Sequence, residues 1–211
     1  QPKVTSYADL KGKTLAVDGP TTGFAFVLRK MLELGGLHEA DYQLLPVGGD
    51  AARLEALQAG KADGALMGTD FAKLAVAGGL KEMGTSLAAL HDYQGTSVFA
   101  RRSWAKAHRE EMLRLVRALR DAHAWIFNKA NRAEAARILS AHSPGLAVDL
   151  AEKSIDQLTA ASGGLSPTGA LDIAGIKVVL DLRNQYAVPR QKLDDPYRYV
   201  DTSYFEEAGK R

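Results

Sequence analysis

The chain has 211 residues, 46% hydrophobic and 25% charged, enough to bury a sizeable core as one large domain or two small ones. A formal net charge of +2 without a Lys/Arg-rich block argues against a nucleic-acid or membrane surface. The absence of cysteine excludes disulfides, thiolate metal sites and cysteine nucleophiles, and no apolar run approaches the ~20 residues of a membrane span. No signal peptide is present, and the abrupt start at Gln1-Pro2-Lys3 reads as a mature or cut piece of a soluble protein.

In chain order, Tyr7-Ala8-Asp9-Leu10 suits one helical turn, and Thr14–Val17 reads as a strand covered on both faces. The loop Asp18–Gly23 leads into a helix over Phe24–Leu34, whose apolar residues follow a 3.6-residue period and which Gly35-Gly36 ends. Thr21 or Thr22 is a candidate helix cap. Tyr42–Val47 is a second strand, placed at an edge or strand end by Pro46. Gly48-Gly49-Asp50 opens a second helix with Asp50 as N-cap and Gly60 as the stop. Asp63–Gly68 is a third, small-residue strand, and Thr69-Asp70 opens a third helix ending at Gly78-Gly79. Leu80–Gly84 and Thr96–Ala100 are two further strand candidates.

The alternation of strand and helix predicts a parallel sheet flanked by helices, in which ligands sit at the carboxyl ends of the strands. Those ends are Asp18–Thr22, Gly48–Asp50 and Gly68–Asp70, all Gly/Thr/Asp loops opening helices. A helix N-terminus carries unpaired N–H donors and about half a positive charge, so each loop can seat an anion.

Beyond Tyr93–Thr96, where the chain crosses between lobes, the pattern is mainly helical: Glu110–Asn128, a helix from Asn131 through Leu139, Val148–Ala161 and Leu171–Tyr186. The five histidines lack metal-ligand spacing, no G-x-S-x-G elbow occurs, and Gly19–Gly23 lacks the Walker lysine and the dinucleotide glycine spacing. His123 reads as a packing residue, Arg101-Arg102 as a solvated pair, and Trp104 and Trp125 as core. The three polar loops suit binding better than turnover, and no cofactor or metal is implied.

The stretches SYADLKGKTLAVDGPTTGFAFVLRKMLELGGL, GGDAARLEALQAGKADGAL, YQGTSVFARRSWAKAHREEMLRLVRAL, WIFNKANRAEAARIL and YVDTSYFEEAG occur in one order along nearly the whole chain. Together they resemble the solute-binding proteins of ABC importers, in the nitrate/sulfonate/taurine and NMT1/THI5-like branch. The resemblance implies two α/β lobes of the type II periplasmic-binding-protein kind, closing on a ligand and presenting it to a membrane permease. It divides the chain into a second-lobe α/β domain, residues 1–92, and a hinge return with the helical C-terminal part of the first lobe, residues 93–211. Placed on this sequence, the ligand-facing residues are Asp18, Thr21, Thr22, Gly23, Gly49, Asp50, Thr69 and Asp70, with Tyr93 and Gln94 at the hinge. The implied protein is periplasmic or extracellular and membrane-anchored, non-catalytic, and partnered by a small solute and a permease, not by nucleic acid.

Members of that branch begin with about a hundred residues of first lobe that have no counterpart here (compare). A half-built pocket of weak affinity follows, with sheet edges in the C-terminal part open to pairing with a second copy. Ser/Thr hydroxyls at Thr21-Thr22 match oxyanion binders, whereas Asp18, Asp50 and Asp70 leave an amine, amide or heteroaromatic ligand open. Two other readings stand beside transport. A pyridoxal-phosphate and iron-dependent pyrimidine synthase of the THI5-like group fits poorly without cysteines, and a ligand-sensing regulatory domain lacks any helix-turn-helix here.

Overall fold

The computed structural model describes residues 4–161 and 164–210. Three parallel strands form a sheet in the order β2-β1-β3, with β1 (Lys13–Val17) in the middle. β2 (Tyr42–Pro46) pairs with β1 along its whole length, from Lys13 opposite Tyr42 to Val17 opposite Pro46. Pro46 lacks an N–H to donate, so the edge position suits this strand. β3 (Gly64–Ala65) pairs on the other side, Leu15 opposite Gly64 and Ala16 opposite Ala65.

Side chains of β1 alternate between two layers, as the two-residue period requires. Leu15 and Val17 pack against Ala25, Leu28 and Leu32 of α1 (Gly23–Leu34). Ala16 faces the other way, onto Ala56 of α2 (Asp50–Gln58) and onto Ala62. The predicted burial of both faces of β1 is therefore observed. Helix α3 (Thr69–Ala77) follows β3, and a short α4 (Ser86–Leu90) lies against α1.

The remainder is helical: α5 (Arg102–Ala107), α6 (Arg109–Phe127), α7 (Arg132–His142), α8 (Val148–Thr159), α9 (Ile173–Tyr186) and α10 (Ser203–Ala208). It is packed onto the sheet layers through two apolar contacts. Phe26, Val27 and Met31, on a second face of α1, meet Leu182 and Ala187 in and after α9, and the Phe26 ring stacks on Tyr186 at 6.1 Å. Leu74 of α3 joins Ala136, Leu146 and Ala151 of the α7–α8 pair. Arg132 clasps that pair, bonding Glu152 at 2.7 Å and both oxygens of Asp156 at 2.6 Å. Helix α1 is thus buried between the sheet and α9, which is why its apolar stripe is wide.

Several expectations change. Leu80–Gly84 and Thr96–Ala100 are irregular, and β3 keeps only two of the six residues predicted. A strand needs a ladder partner, so Thr96–Ala100, with Thr96, Val98 and Phe99, has the composition of a strand without the pairing. Among the described residues all three strands lie before residue 66, so the sheet edges are those of β2 and β3 and none lies in the C-terminal part. Gly49, not Asp50, is the N-cap of α2, and Asp50 is its first helical residue. Trp104 is 44% exposed and stacks on His108 at the surface instead of entering the core.

Candidate functional site

Parallel strands bring their carboxyl ends to one edge of the sheet, and each runs into a helix N-terminus: β1 into α1, β2 into α2, β3 into α3. Each helix start leaves N–H groups unbonded, among them Gly23 and Phe24 of α1, Ala51 and Ala52 of α2, and Asp70 and Phe71 of α3, as judged among the described residues. The donors and the positive dipole ends of three helices therefore face one rim.

The first loop closes on itself. Asp18 Oδ1 accepts from the Gly19 N–H at 3.0 Å and from the Thr22 hydroxyl at 2.5 Å, and Thr22 Oγ1 accepts from the Ala25 N–H at 3.2 Å. Thr22 is thus the N-cap of α1, its hydroxyl proton committed to Asp18 and to Gly19 O. Thr21 and Gly23 are exposed and open. A Cβ added to Gly23 would stand 3.2 Å from the Tyr93 hydroxyl, so this glycine gives the ring room beside the helix start. Burial, and then the charge of Asp18, push the Tyr93 phenol above its ordinary range and keep it neutral, able to donate.

Arg53 joins the loops. It is 3% exposed, and its Nη1 donates to Gly48 O at 3.1 Å while standing 3.9 Å from Asp18 Oδ1. Its Nη2 donates to Asp50 Oδ1, and the guanidinium lies over the Phe24 ring, 5.2 Å from the centroid. Asp50 Oδ1 also accepts from the Gly68 N–H at 3.2 Å, which ties the second loop to the third. A Cβ on Gly68 would stand 3.2 Å from Asp50 Oδ2 and 3.3 Å from Asp70 Oδ1. Asp70 Oδ2 in turn accepts from the Ser143 hydroxyl at 3.3 Å, across to the end of α7.

Asp18, Thr22, Gly23 and Tyr93 therefore meet at the first helix start, Gly49 and Asp50 at the second, and Asp70 at the third, with Arg53 linking the first two. Thr69 instead lines an apolar cavity beside β3. Gln94 is engaged elsewhere: its Oε1 accepts from the Asp172 N–H at 2.8 Å and its Nε2 donates to Thr96 O at 2.6 Å. Arg53 and Ser143 were not legible as site residues. The signal for Arg53 was present, a basic residue three positions after Asp50 in the first turn of α2, on the face shared by i and i+3. His123 Nδ1 donates to Ser166 O, 2.6 Å away, in keeping with packing. No group of His, Asp and Glu among the described residues is arranged to hold a metal.

The parallel sheet with helices over it makes this an α/β protein, and its structural neighbours share the fold of periplasmic solute-binding proteins. The solved structures that resemble it share this fold at low identity. A protein from Bordetella bronchiseptica RB50 superposes with a TM-score of 0.73 at 19% identity, covering 99% of this chain and 67% of its own. The alkanesulfonate-binding protein SsuA from Xanthomonas axonopodis pv. citri, bound to MOPS, gives 0.66 at 19% identity, covering 98% of this chain and 65% of its own. A protein assigned as the periplasmic sulfonate-binding protein SsuA of Methylobacillus flagellatus KT gives 0.64 at 16% identity, with 98% and 62% covered. The chain thus spans about two thirds of the length of these proteins. No curated protein matches it in sequence. The model of the NMT1-like family matches residues 1–140, and the chain belongs to that family.

Proposed function

We propose that this chain supplies one wall of the ligand cleft of an ABC importer's solute-binding protein, capturing a small sulfonate-like, nitrate-like or thiamine-precursor-like solute for a membrane permease. The observation that carries it is the convergence of three helix N-termini at the carboxyl edge of one parallel sheet, beside a neutral Tyr93 hydroxyl. NMT1-like membership and the sulfonate-binding proteins of the same fold support transport over catalysis. In this reading residues 1–92 form the second lobe and residues 93–211 return through the hinge, the ligand-facing set being Asp18, Thr21, Gly23, Gly49, Asp50 and Asp70. The location is periplasmic, and among the described residues no helix is long and apolar enough to cross a membrane. Self-association through exposed sheet edges belongs to the same proposal.

A ligand bearing donor groups is the second reading, favoured by the three carboxylates along the rim, of which Asp18 and Asp50 share the Arg53 guanidinium and Asp70 accepts from the Ser143 hydroxyl. An NMR titration with propane sulfonate, MOPS, nitrate, an aminopyrimidine and a small amide tests both. Shifts confined to the amides of residues 19–24, 49–52 and 69–71 are expected, and the ligand giving them selects the class. Saturating shifts elsewhere, or none with any probe, refute the cleft assignment.

A further inference from the structure

Gly175 is the third residue of α9, at a buried helical position where glycine is a poorer helix former than any residue but proline. Its φ is not in the left-handed region, so backbone freedom does not account for it. Space does. A Cβ added there would stand 2.7 Å from the Gln94 N and 3.2 Å from the Tyr93 carbonyl carbon. The missing side chain lets the first turn of α9 lie against the backbone of Tyr93-Gln94. The same turn is hydrogen-bonded to that segment: Gln94 Oε1 accepts from the Asp172 N–H at 2.8 Å, and its Nε2 donates to Thr96 O at 2.6 Å.

Two more glycines border the same tyrosine. A Cβ on Gly95 would stand 3.2 Å from Cε1 and 3.4 Å from Cδ1 of the Tyr93 ring, as one on Gly23 would from its hydroxyl at 3.2 Å. Neither lies at positive φ. The ring also packs on the cluster of Phe26, Val27 and Met31 from α1 with Leu182 and Ala187. At its far end α9 is fastened to α1, where the Gln185 amide and the Tyr186 hydroxyl both donate to Glu33 Oε2. Tyr93 thus sits in a socket whose backbone side is α9 and whose open end is the start of α1. We propose that Gly175 and Gln94 are positioning residues of the ligand site, holding the Tyr93 hydroxyl at the first helix start, where it donates to an acceptor atom of the solute. This rests on the cleft reading above. Gln94, ligand-facing by resemblance, acts through Tyr93 and does not touch the solute.

The test uses the full chain and the variants Gly175→Ala, Gln94→Ala, Tyr93→Phe and Gly175→Ala/Tyr93→Phe. Nuclear Overhauser spectra with labelled tyrosine rings report where Tyr93 sits without any ligand, and NMR titration with propane sulfonate reports binding. Cross-peaks between the Tyr93 ring and Gly23 are expected in the wild type and lost in Gly175→Ala, while those between Tyr186 and Phe26 persist because α9 stays docked. Gln94→Ala adds no atom to the packed turn, so it tests the same displacement should Gly175→Ala fail to fold. The dissociation constant for propane sulfonate is expected to rise about tenfold in Gly175→Ala and in Tyr93→Phe, and no further in the double variant. Cross-peaks to Gly23 that survive in both Gly175→Ala and Gln94→Ala overturn the socket. Losses that multiply in the double variant overturn the action through the hydroxyl, as does a Tyr93→Phe variant that binds as tightly as the wild type. A wild type with the expected cross-peaks, whose amides at residues 19–24 respond to none of the five solutes named above, overturns the cleft reading and leaves the socket standing.

Discussion

Replacing Arg53 by Met gives the most informative perturbation of the rim. The guanidinium is almost fully enclosed, with a side chain 4% exposed, and it satisfies Gly48 O and Asp50 while facing Asp18 at 3.9 Å. Removing it leaves two carboxylates without their cation. Breaking a buried ion pair from one side costs about 3–5 kcal/mol. Here the two carboxylates keep about a quarter of their surface in water, 27% for Asp18 and 25% for Asp50, so solvent recovers part of that loss. Methionine also retains the packing of the aliphatic stem. The expected net loss is therefore about 2–3 kcal/mol, or roughly 4–12 °C in Tm for a chain of this size. Urea denaturation followed by circular dichroism measures it, with Arg53→Lys expected to lose about half as much, because the charge stays and the fork is lost. A loss under about 0.5 kcal/mol for Arg53→Met, within the range of ordinary surface substitutions, would refute the claim that this side chain ties the loops together.

Three further outcomes follow from the same geometry. Asp18→Asn removes a negative charge beside the first helix start and should tighten binding of an anionic solute about fivefold by calorimetry, whereas an unchanged affinity removes Asp18 from the site. Gly35→Ala should destabilise by about 1–3 kcal/mol, since the new Cβ would stand 2.6 Å from Cβ and Cγ of Tyr7, while Gly49→Ala, with nothing within 4 Å, should be close to neutral in the same urea assay. Asp9 Oδ2 accepts from the N–H and hydroxyl groups of Thr5 and Ser6, and these bonds, the Thr5 N–H foremost, hold its carboxyl at about 2. A lowered folded value means that its contribution is present above the unfolded value of about 3.9 and is lost as pH falls toward the folded one. Carbon-detected NMR should place the midpoint near that value, and Asp9→Asn should flatten stability across this acid window.

Local pattern was enough for much of this molecule. The apolar run Leu15-Ala16-Val17, the periodic stripe of α1 and the Gly/Thr/Asp loops before each helix announced a parallel sheet with helix-opening loops at its carboxyl edge, because two- and 3.6-residue periods are properties of the chain alone. Thr22 was legible as a cap for the same reason. What pairs with what was not. Leu80–Gly84 and Thr96–Ala100 read as strands by composition, yet a strand exists only when a neighbouring strand pairs with it, and among the described residues none does. Asp50 looked like a cap until Arg53 and the Gly68 N–H claimed its carboxylate from elsewhere in the fold. The sequence by itself determined the layers and the loops that end them. Only tertiary structure decided which carboxylates share the buried Arg53 guanidinium and which strands end the sheet, because both depend on residues distant in the chain being brought within a few ångströms.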